Sequence, residues 1–288
     1  MDDLMRNPAH RTALSALLIC TSLFSTAAIA AEDCQTRIPA LLQAAYPNAT
    51  SETGDGSELL RLSGTPTRWI NPDEVVCKVW PASPDKTLLA VKLQHAIDAD
   101  QAVDEADLDL VVADSARDRI VQRHRQDGLL SSDAIRVSSF AFDTARYRLD
   151  DKTTAFGLRI HRSGSSRANP YGDETLRLYV IDGSGLRPVL RNLVMMRNQG
   201  EWDTRCAGEF TDTRRTISVD AKRDNGYAGL LLNTVASTSR SVAKGEDCDE
   251  VDGGTEKSSV RLRYDGREYV VPKDLRGFDD DYIGNSGS

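Results

Sequence analysis

Two stretches near the middle of the chain decide the fold, Phe156-Gly-Leu-Arg-Ile-His161 and Leu176-Arg-Leu-Tyr-Val-Ile181. In both, large apolar residues recur at every second position, which is the period of a β-strand with one face in a core. A polar loop over residues 163–172 separates them, and Asp182-Gly-Ser-Gly185 provides a turn after the second stretch. The pattern predicts the middle of an antiparallel sheet.

Strand, turn and strand alternate outward from this centre. Apolar runs separated by turn residues predict three hairpins, which pair 108–113 with 120–124, 176–181 with 186–190, and 230–235 with 240–243. A fourth turns at Asp265-Gly266 and would place Arg263 opposite Glu268. Because no long helix interrupts this succession, we expect an all-β protein, mainly antiparallel and either propeller-like or a sandwich.

One short helix is predicted over residues 35–46, and Pro47-Asn48 ends it. Its apolar residues share one face, and they are Ile38, Leu41, Leu42 and Ala45. Short strands are then predicted at 59–62, 74–80 and 87–93.

The first thirty residues have the features of a signal peptide. Residues 12–30 are apolar or small and end in Ala28-Ile-Ala30, a small-x-small cleavage pattern. A membrane anchor is the less favoured alternative, because the apolar core is short and diluted by Ser and Thr. We therefore expect a periplasmic or secreted protein with no membrane insertion after cleavage. The expected organisation is a signal peptide at 1–30, a helix-plus-strands region at 31–104, an antiparallel β domain at 105–276 and a flexible tail at 277–288.

Cysteine usage agrees with export. The mature chain keeps an even number of cysteines, as expected for two disulfides in an oxidising compartment; they are Cys34, Cys77, Cys206 and Cys248. Four cysteines allow three pairings, and proximity in sequence favours Cys34 with Cys77 and Cys206 with Cys248. No C-x-x-C spacing is present, which argues against a zinc site.

The net charge of the chain limits the classes of partner that we expect. A formal net charge of −8 gives no electrostatic case for binding nucleic acid or an anionic membrane. If charge matters, the partners are neutral or basic.

An acidic stretch at 98–109 raises the question of calcium. Two segments, Asp107-Leu-Asp-Leu-Val-Val112 and Asn225-Gly-Tyr-Ala-Gly-Leu-Leu-Leu232, resemble the loop-plus-strand unit of FG-GAP propeller repeats, which implies a propeller-like fold. Both lack the alternating oxygen ligands that a hard cation needs, since Ala221 and Arg223 stand at ligand positions in the second. We therefore expect a solvated acidic linker, no metal and no cofactor.

A longer part of the chain resembles a family of proteobacterial secreted proteins of unassigned function. The resemblance rests on Asp143-Thr-Ala-Arg-Tyr-Arg-Leu149, Ser165-Ser-Arg-Ala-Asn-Pro-Tyr171, Gly200-Glu-Trp-Asp-Thr-Arg-Cys206 and Arg214-Arg-Thr-Ile-Ser218. It covers most of 105–275 and implies export and β structure, but no chemistry.

Residues suited to catalysis are few. His95, His124 and His161 each have the surroundings of a surface histidine. Paired carboxylates occur at Glu201 and Asp203, but glycoside hydrolysis needs two carboxylates across a cleft, and adjacency on one strand rarely gives that. A cell-wall or carbohydrate hydrolase using this pair is the alternative hypothesis.

The 163–172 loop is the stronger candidate for function, because rigid strands that present an irregular loop are a common way to place recognition residues. It resembles the Ser-Gly-Ser loop followed by Tyr with which periplasmic lysozyme inhibitors plug a glycosidase cleft. The candidate binding residues are Ser163, Ser165, Arg167, Asn169 and Tyr171. The alternative for this loop is an ordinary connection between strands that is polar because loops are solvated. We expect a non-catalytic binding protein, whose partner would be a basic envelope protein such as a lysozyme-type hydrolase.

Overall fold

Alternating apolar residues form long antiparallel strands in the computed structural model, which describes residues 34–54, 57–96, 104–183 and 185–277. The predicted signal peptide and all but the first residue of the predicted tail lie outside these ranges. The elements are α1 (Ile38–Ala45), β1 (Thr50–Gly54), β2 (Ser57–Leu62), β3 (Arg68–Ile70), β4 (Val76–Val79), β5 (Lys86–Gln94), β6 (Ala106–Asp114), β7 (Ile120–Gln126), β8 (Ile135–Arg148), β9 (Thr154–Gly164), β10 (Tyr171–Asp182), β11 (Gly185–Trp202), β12 (Gly208–Asp224), β13 (Tyr227–Lys244) and β14 (Asp247–Leu262), with short 3₁₀ turns at Pro72–Glu74 and Lys273–Leu275.

The strands form two antiparallel sheets of seven strands each. In the first sheet the order is β1-β2-β3-β5-β6-β7, and β4 also pairs with β5; the second sheet runs from β8 to β14 in chain order. The all-β prediction is confirmed. Because β5 pairs with β6 along its whole length, the expected boundary at 104–105 falls within one sheet.

The two sheets pack face to face through one apolar cluster, as in a sandwich. From the first sheet it takes Leu88, Leu108 and Leu110, and from the second Phe156 and Tyr179. No four-stranded blades are present in the described chain, and the two segments that resemble propeller repeats lie in different sheets, in β6 and at the start of β13.

Helix α1 covers the other face of the first sheet, so β6 is buried on both sides. Its buried residues are the predicted ones, Ile38, Leu41, Leu42 and Ala45. Cys34, just before the helix, is bonded to Cys77 on β4. No helix in the described part of the chain is long and apolar enough to cross a membrane.

The second sheet curls around a core of its own. Leu176 and Leu178 on β10 share this core with Leu230 and Leu232 on β13. The curl brings β13 back to the end of β8, where the Ala228 amide donates to the Leu149 carbonyl oxygen over 2.7 Å.

Beyond the core, β11 to β14 continue as a mostly polar ribbon. Its far end is crossed by the second disulfide, between Cys206 and Cys248, so both favoured cysteine pairings are present. Two disulfides of this kind are typical of proteins from oxidising compartments.

Two of the four predicted hairpins are present as expected, at 108–124 and 176–190. The hairpin expected within 230–243 is wrong, since Tyr227–Lys244 is one continuous strand paired with β12 and β14. The residues between the two predicted strands, Ala236-Ser-Thr-Ser239, include no glycine, proline or asparagine, so the turn signal there is weak.

The hairpin at Asp265-Gly266 has a longer loop than predicted. The bridging pair is Tyr264 with Tyr269, and the Asp265 carboxylate accepts hydrogen bonds from the Arg267 and Glu268 amides. Glu268 therefore does not face Arg263; it forms an ion pair with Arg191 at 2.8 Å.

Candidate functional site

A cavity of about 820 Å³ opens where the 163–172 loop meets the far ends of β11, β12 and β13. One side is formed by the loop and the start of β8, with Ile135 and Pro170 as apolar members. The opposite side is the ribbon. We call this space the loop–ribbon cavity; its lining residues include Ser165, Ser166, Asn169, Tyr171, Gln199, Glu201, Glu209, Thr211 and Arg240.

The loop is held in place by its own backbone. The Gly200 amide donates to the Pro170 carbonyl oxygen over 3.1 Å, and the Trp202 amide donates to the Ala168 carbonyl oxygen over 2.7 Å. These bonds continue the pairing with β11 into the residues that precede the first residue of β10. The cavity wall on this side is therefore an ordered extension of the sheet.

The Tyr171 side chain is anchored at the base of the cavity. Its hydroxyl donates to Asp173 Oδ2 over 2.7 Å, and the Arg197 guanidinium lies 5.9 Å from its ring centre. Asp173 is only 1% exposed. Burial, together with the neighbouring Asp173 charge, raises the pKa of Tyr171 above its ordinary value, so it remains a neutral donor.

Two carboxylates face the cavity from neighbouring strands. Glu201 on β11 lies directly opposite Glu209 on β12, and Glu209 lies directly opposite Arg240 on β13. Directly opposed residues of an antiparallel pair project to the same face, with their Cβ atoms roughly 5 Å apart. Like charges in this arrangement destabilise a sheet, so we expect the two carboxylates to be neutralised by a neighbouring positive charge or by a bound cation.

A positively charged side chain neutralises Glu209 but not Glu201. Arg240 Nη2 lies 3.0 Å from Glu209 Oε1, and Nε donates to the same oxygen over 3.1 Å. Within the described ranges the Glu201 carboxylate has no hydrogen-bond or ion-pair partner. Among the described residues, the charged members of the lining are these three, which together carry one surplus negative charge.

The predicted binding residues fall into two groups. Ser165, Asn169 and Tyr171 line the cavity. Ser163 is paired within β9 and Arg167 is exposed at the loop surface, and neither of them contributes to the lining.

The alternative pair, Glu201 with Asp203, is divided by the structure. Asp203 Oδ1 accepts hydrogen bonds from the Arg205 and Ala207 amides, so this carboxylate closes the turn between β11 and β12. The acidic neighbour of Glu201 in the cavity is Glu209, which the sequence analysis missed. The turn between β11 and β12 could have predicted this neighbour, because a hairpin centred on residues 203–207 places residue 201 opposite residue 209.

None of the three histidines in the described chain lines the cavity. His95 Nε2 lies 2.6 Å from buried Asp107, and His161 Nε2 lies 3.0 Å from Glu174. Burial, with a smaller contribution from Arg191, lowers the pKa of His124 below its ordinary value. The cavity therefore lacks a histidine base beside its serines.

No group of three or more metal-ligating side chains occurs among the described residues. The cavity itself offers two carboxylates, one of them paired with Arg240. This donor set fits an organic cation better than a metal ion, which needs about six oxygens if it is calcium.

Comparison with protein-family models, with curated proteins and with solved structures gave no match to this chain.

Proposed function

We propose that this protein is a periplasmic or secreted binding protein without catalytic activity, and that its loop–ribbon cavity receives a basic segment of a partner protein. The partner we favour is a basic cell-wall hydrolase of the lysozyme type, which the protein would inhibit by occupation. The observation that carries the proposal is the Glu201 carboxylate, which lies opposite Glu209 in the wall of an open cavity and has no side-chain partner among the residues that the structure describes.

The size and lining of the cavity support binding. A volume of about 820 Å³ lies within the range of ligand sites, roughly 300–1,000 Å³. Its polar groups come from an ordered loop and from rigid strands, so little conformational entropy is lost when a partner docks.

Charge supports a basic partner. The surplus negative charge of the cavity has the same sign as the net charge of −8 of the whole chain. Complementary charge accelerates encounter and excludes acidic competitors. The two disulfides support the proposed localisation, because such bonds persist in the periplasm and outside the cell.

A direct test is the binding of a purified basic lysozyme, with the dissociation constant measured by calorimetry and the residual muramidase activity measured in parallel. Glu201→Gln should weaken binding about tenfold, the effect expected from losing one charge-assisted contact. The matched control is Glu256→Gln, because Glu256 is exposed on β14 and does not line the cavity. Acetylation of the lysozyme amines should also weaken binding.

Equal affinities for the Glu201 and Glu256 variants would contradict the proposal, as would the absence of binding. Degradation of peptidoglycan by this protein alone, lost in Glu201→Gln, would replace it with the hydrolase alternative.

A further inference from the structure

We infer that Arg240 determines the specificity of the loop–ribbon cavity: it acts as a built-in competitor that neutralises Glu209, leaves Glu201 as the single open carboxylate, and so directs one guanidinium group of the partner to Glu201. The inference rests on the proposed function and names the chemical group that the same cavity takes.

The position of Arg240 supports this role. It stands in line with Glu201 and Glu209 across three neighbouring strands, because each is directly opposed to the next in the register. Its guanidinium contacts one oxygen of Glu209 through two nitrogen atoms, at 3.0 and 3.1 Å. It is also the one basic residue that the described part of the chain contributes to the lining.

The Arg240–Glu209 pair is weakly held. The two side chains are 63% and 74% exposed, and ion pairs with such exposure contribute little to stability. Its consequence is therefore mainly electrostatic: it removes one of two adjacent negative charges from an open cavity.

The rest of the lining suits a guanidinium. This group is planar, carries five N–H donors and stacks on aromatic rings, whereas an ammonium is a compact point charge. The lining that contains Glu201 also contains the side-chain amides Asn169 and Gln199 and the aromatic residue Tyr171.

The wall that carries Glu201 is also rigid. A Cβ atom on Gly200 would lie 2.5 Å from Phe210 Cδ1, and one on Gly208 would lie 2.9 Å from the Glu201 carbonyl oxygen. The two strands are thus packed against each other without room for side chains at these positions. The backbone on both sides of this pairing is therefore closely packed, which limits where the accepting Glu201 carboxylate can lie.

The test uses the full-length mature protein and a capped peptide, acetyl-Gly-Arg-Gly-amide, titrated by NMR. The reference peptide carries citrulline in place of arginine, which keeps the shape and removes the charge. We expect the wild type to bind the arginine peptide at least fivefold more tightly than the citrulline peptide, and Glu201→Gln to remove this preference.

Arg240→Gln should tighten binding of the arginine peptide by about three- to tenfold, because it opens Glu209 as a second carboxylate. Lys257→Gln is the matched control: it makes the same change of charge at an exposed site on β14 outside the cavity, and should leave the affinity within twofold. Glu209→Gln should cost more affinity in the Arg240→Gln background than in the wild type.

The outcomes distinguish the role of Arg240 from the proposed function of the cavity. If Glu201→Gln weakens binding but Arg240→Gln behaves like Lys257→Gln, or weakens binding, the role of Arg240 is wrong and the proposed function stands. If the wild type does not prefer arginine to citrulline, the role of Arg240 and the cation-binding cavity both fail.

Discussion

Asp107 and Asp109 lie two residues apart on the same face of β6 and are both buried, yet their pKa values shift in opposite directions. Burial raises the pKa of each carboxyl group. At Asp107 hydrogen bonds from Arg125, Arg68, the Gly128 amide and His95 outweigh burial and hold the pKa well below its usual range. At Asp109 burial dominates, although Arg123 and the Tyr46 hydroxyl oppose it, so the pKa is raised.

Replacing Asp107 should therefore cost more stability than replacing Asp109. Asp107→Asn leaves the buried Arg68 guanidinium without its charged partner, and breaking a buried pair costs about 3 kcal/mol. Asp109→Asn removes a charge that burial disfavours and keeps an acceptor for Tyr46, so it should cost less than about 1 kcal/mol. Urea denaturation of both variants measures the difference, and equal losses would contradict this account.

The same two variants should respond oppositely to pH. Asp107 has a folded pKa below its unfolded value of about 3.9, so its stabilisation is complete above that value and is lost as the pH falls through the folded pKa. Asp109 has a folded pKa above its unfolded value, so its contribution falls as the pH rises. The stability deficit of Asp107→Asn should thus grow from pH 2 to pH 5. The deficit of Asp109→Asn should shrink as the pH rises above 4. Denaturation curves recorded at each pH measure both trends, and a reversal of either would contradict the assigned pKa shifts.

The two disulfides should differ in accessibility. Each closes a loop of about forty residues, so loss of either should cost about 4 kcal/mol in the chain-entropy model. Cys34 and Cys77 are buried, whereas Cys248 is exposed at the end of the ribbon. Mild reductant should therefore open Cys206–Cys248 first, as judged by alkylation and mass spectrometry. Earlier labelling of Cys34 and Cys77 would argue against the burial described above.

Tyr171 should matter for folding as well as for binding. Although Tyr171 belongs to the predicted binding loop, its hydroxyl donates to the buried Asp173. Tyr171→Phe should destabilise the protein by about 1–2 kcal/mol, the cost of removing a donor from a buried acceptor. Arg167→Ala changes an exposed loop residue and serves as the control, with thermal melting as the measurement.

Calcium should leave the stability unchanged. Asp107 and Asp109, which belong to the acidic stretch, are engaged by arginine and tyrosine side chains, so they are not free to bind a cation. Adding millimolar calcium or a chelator should not shift the melting temperature. A clear shift would indicate a site elsewhere, and the acidic segment Asp247–Asp252 would be the first place to mutate.

Local patterns were sufficient for much of the fold. Alternation at Phe156, Leu158 and Ile160 predicted a strand that the structure contains, because the period of two follows from strand geometry alone. The buried face of α1 followed from helical spacing in the same way. Proximity along the chain was enough to favour the two cysteine pairings, since loops of about forty residues close more readily than longer ones.

The register of the strands and the pairing of residues distant in sequence could not be predicted from these local patterns. Whether β13 turns or continues depends on β12 and β14 beside it, and those contacts cannot be read from its own residues. Asp107 reads as a linker residue until the fold brings Arg68, 39 positions away, to its carboxylate. The cavity likewise exists because the register sets Glu201 against Glu209 and the loop beside both. The sequence alone determined the type of structure where a local pattern is strong, as in β9 and α1, because that depends on neighbours in the chain. Which charges meet was decided only in the tertiary structure, because that depends on residues that meet in space.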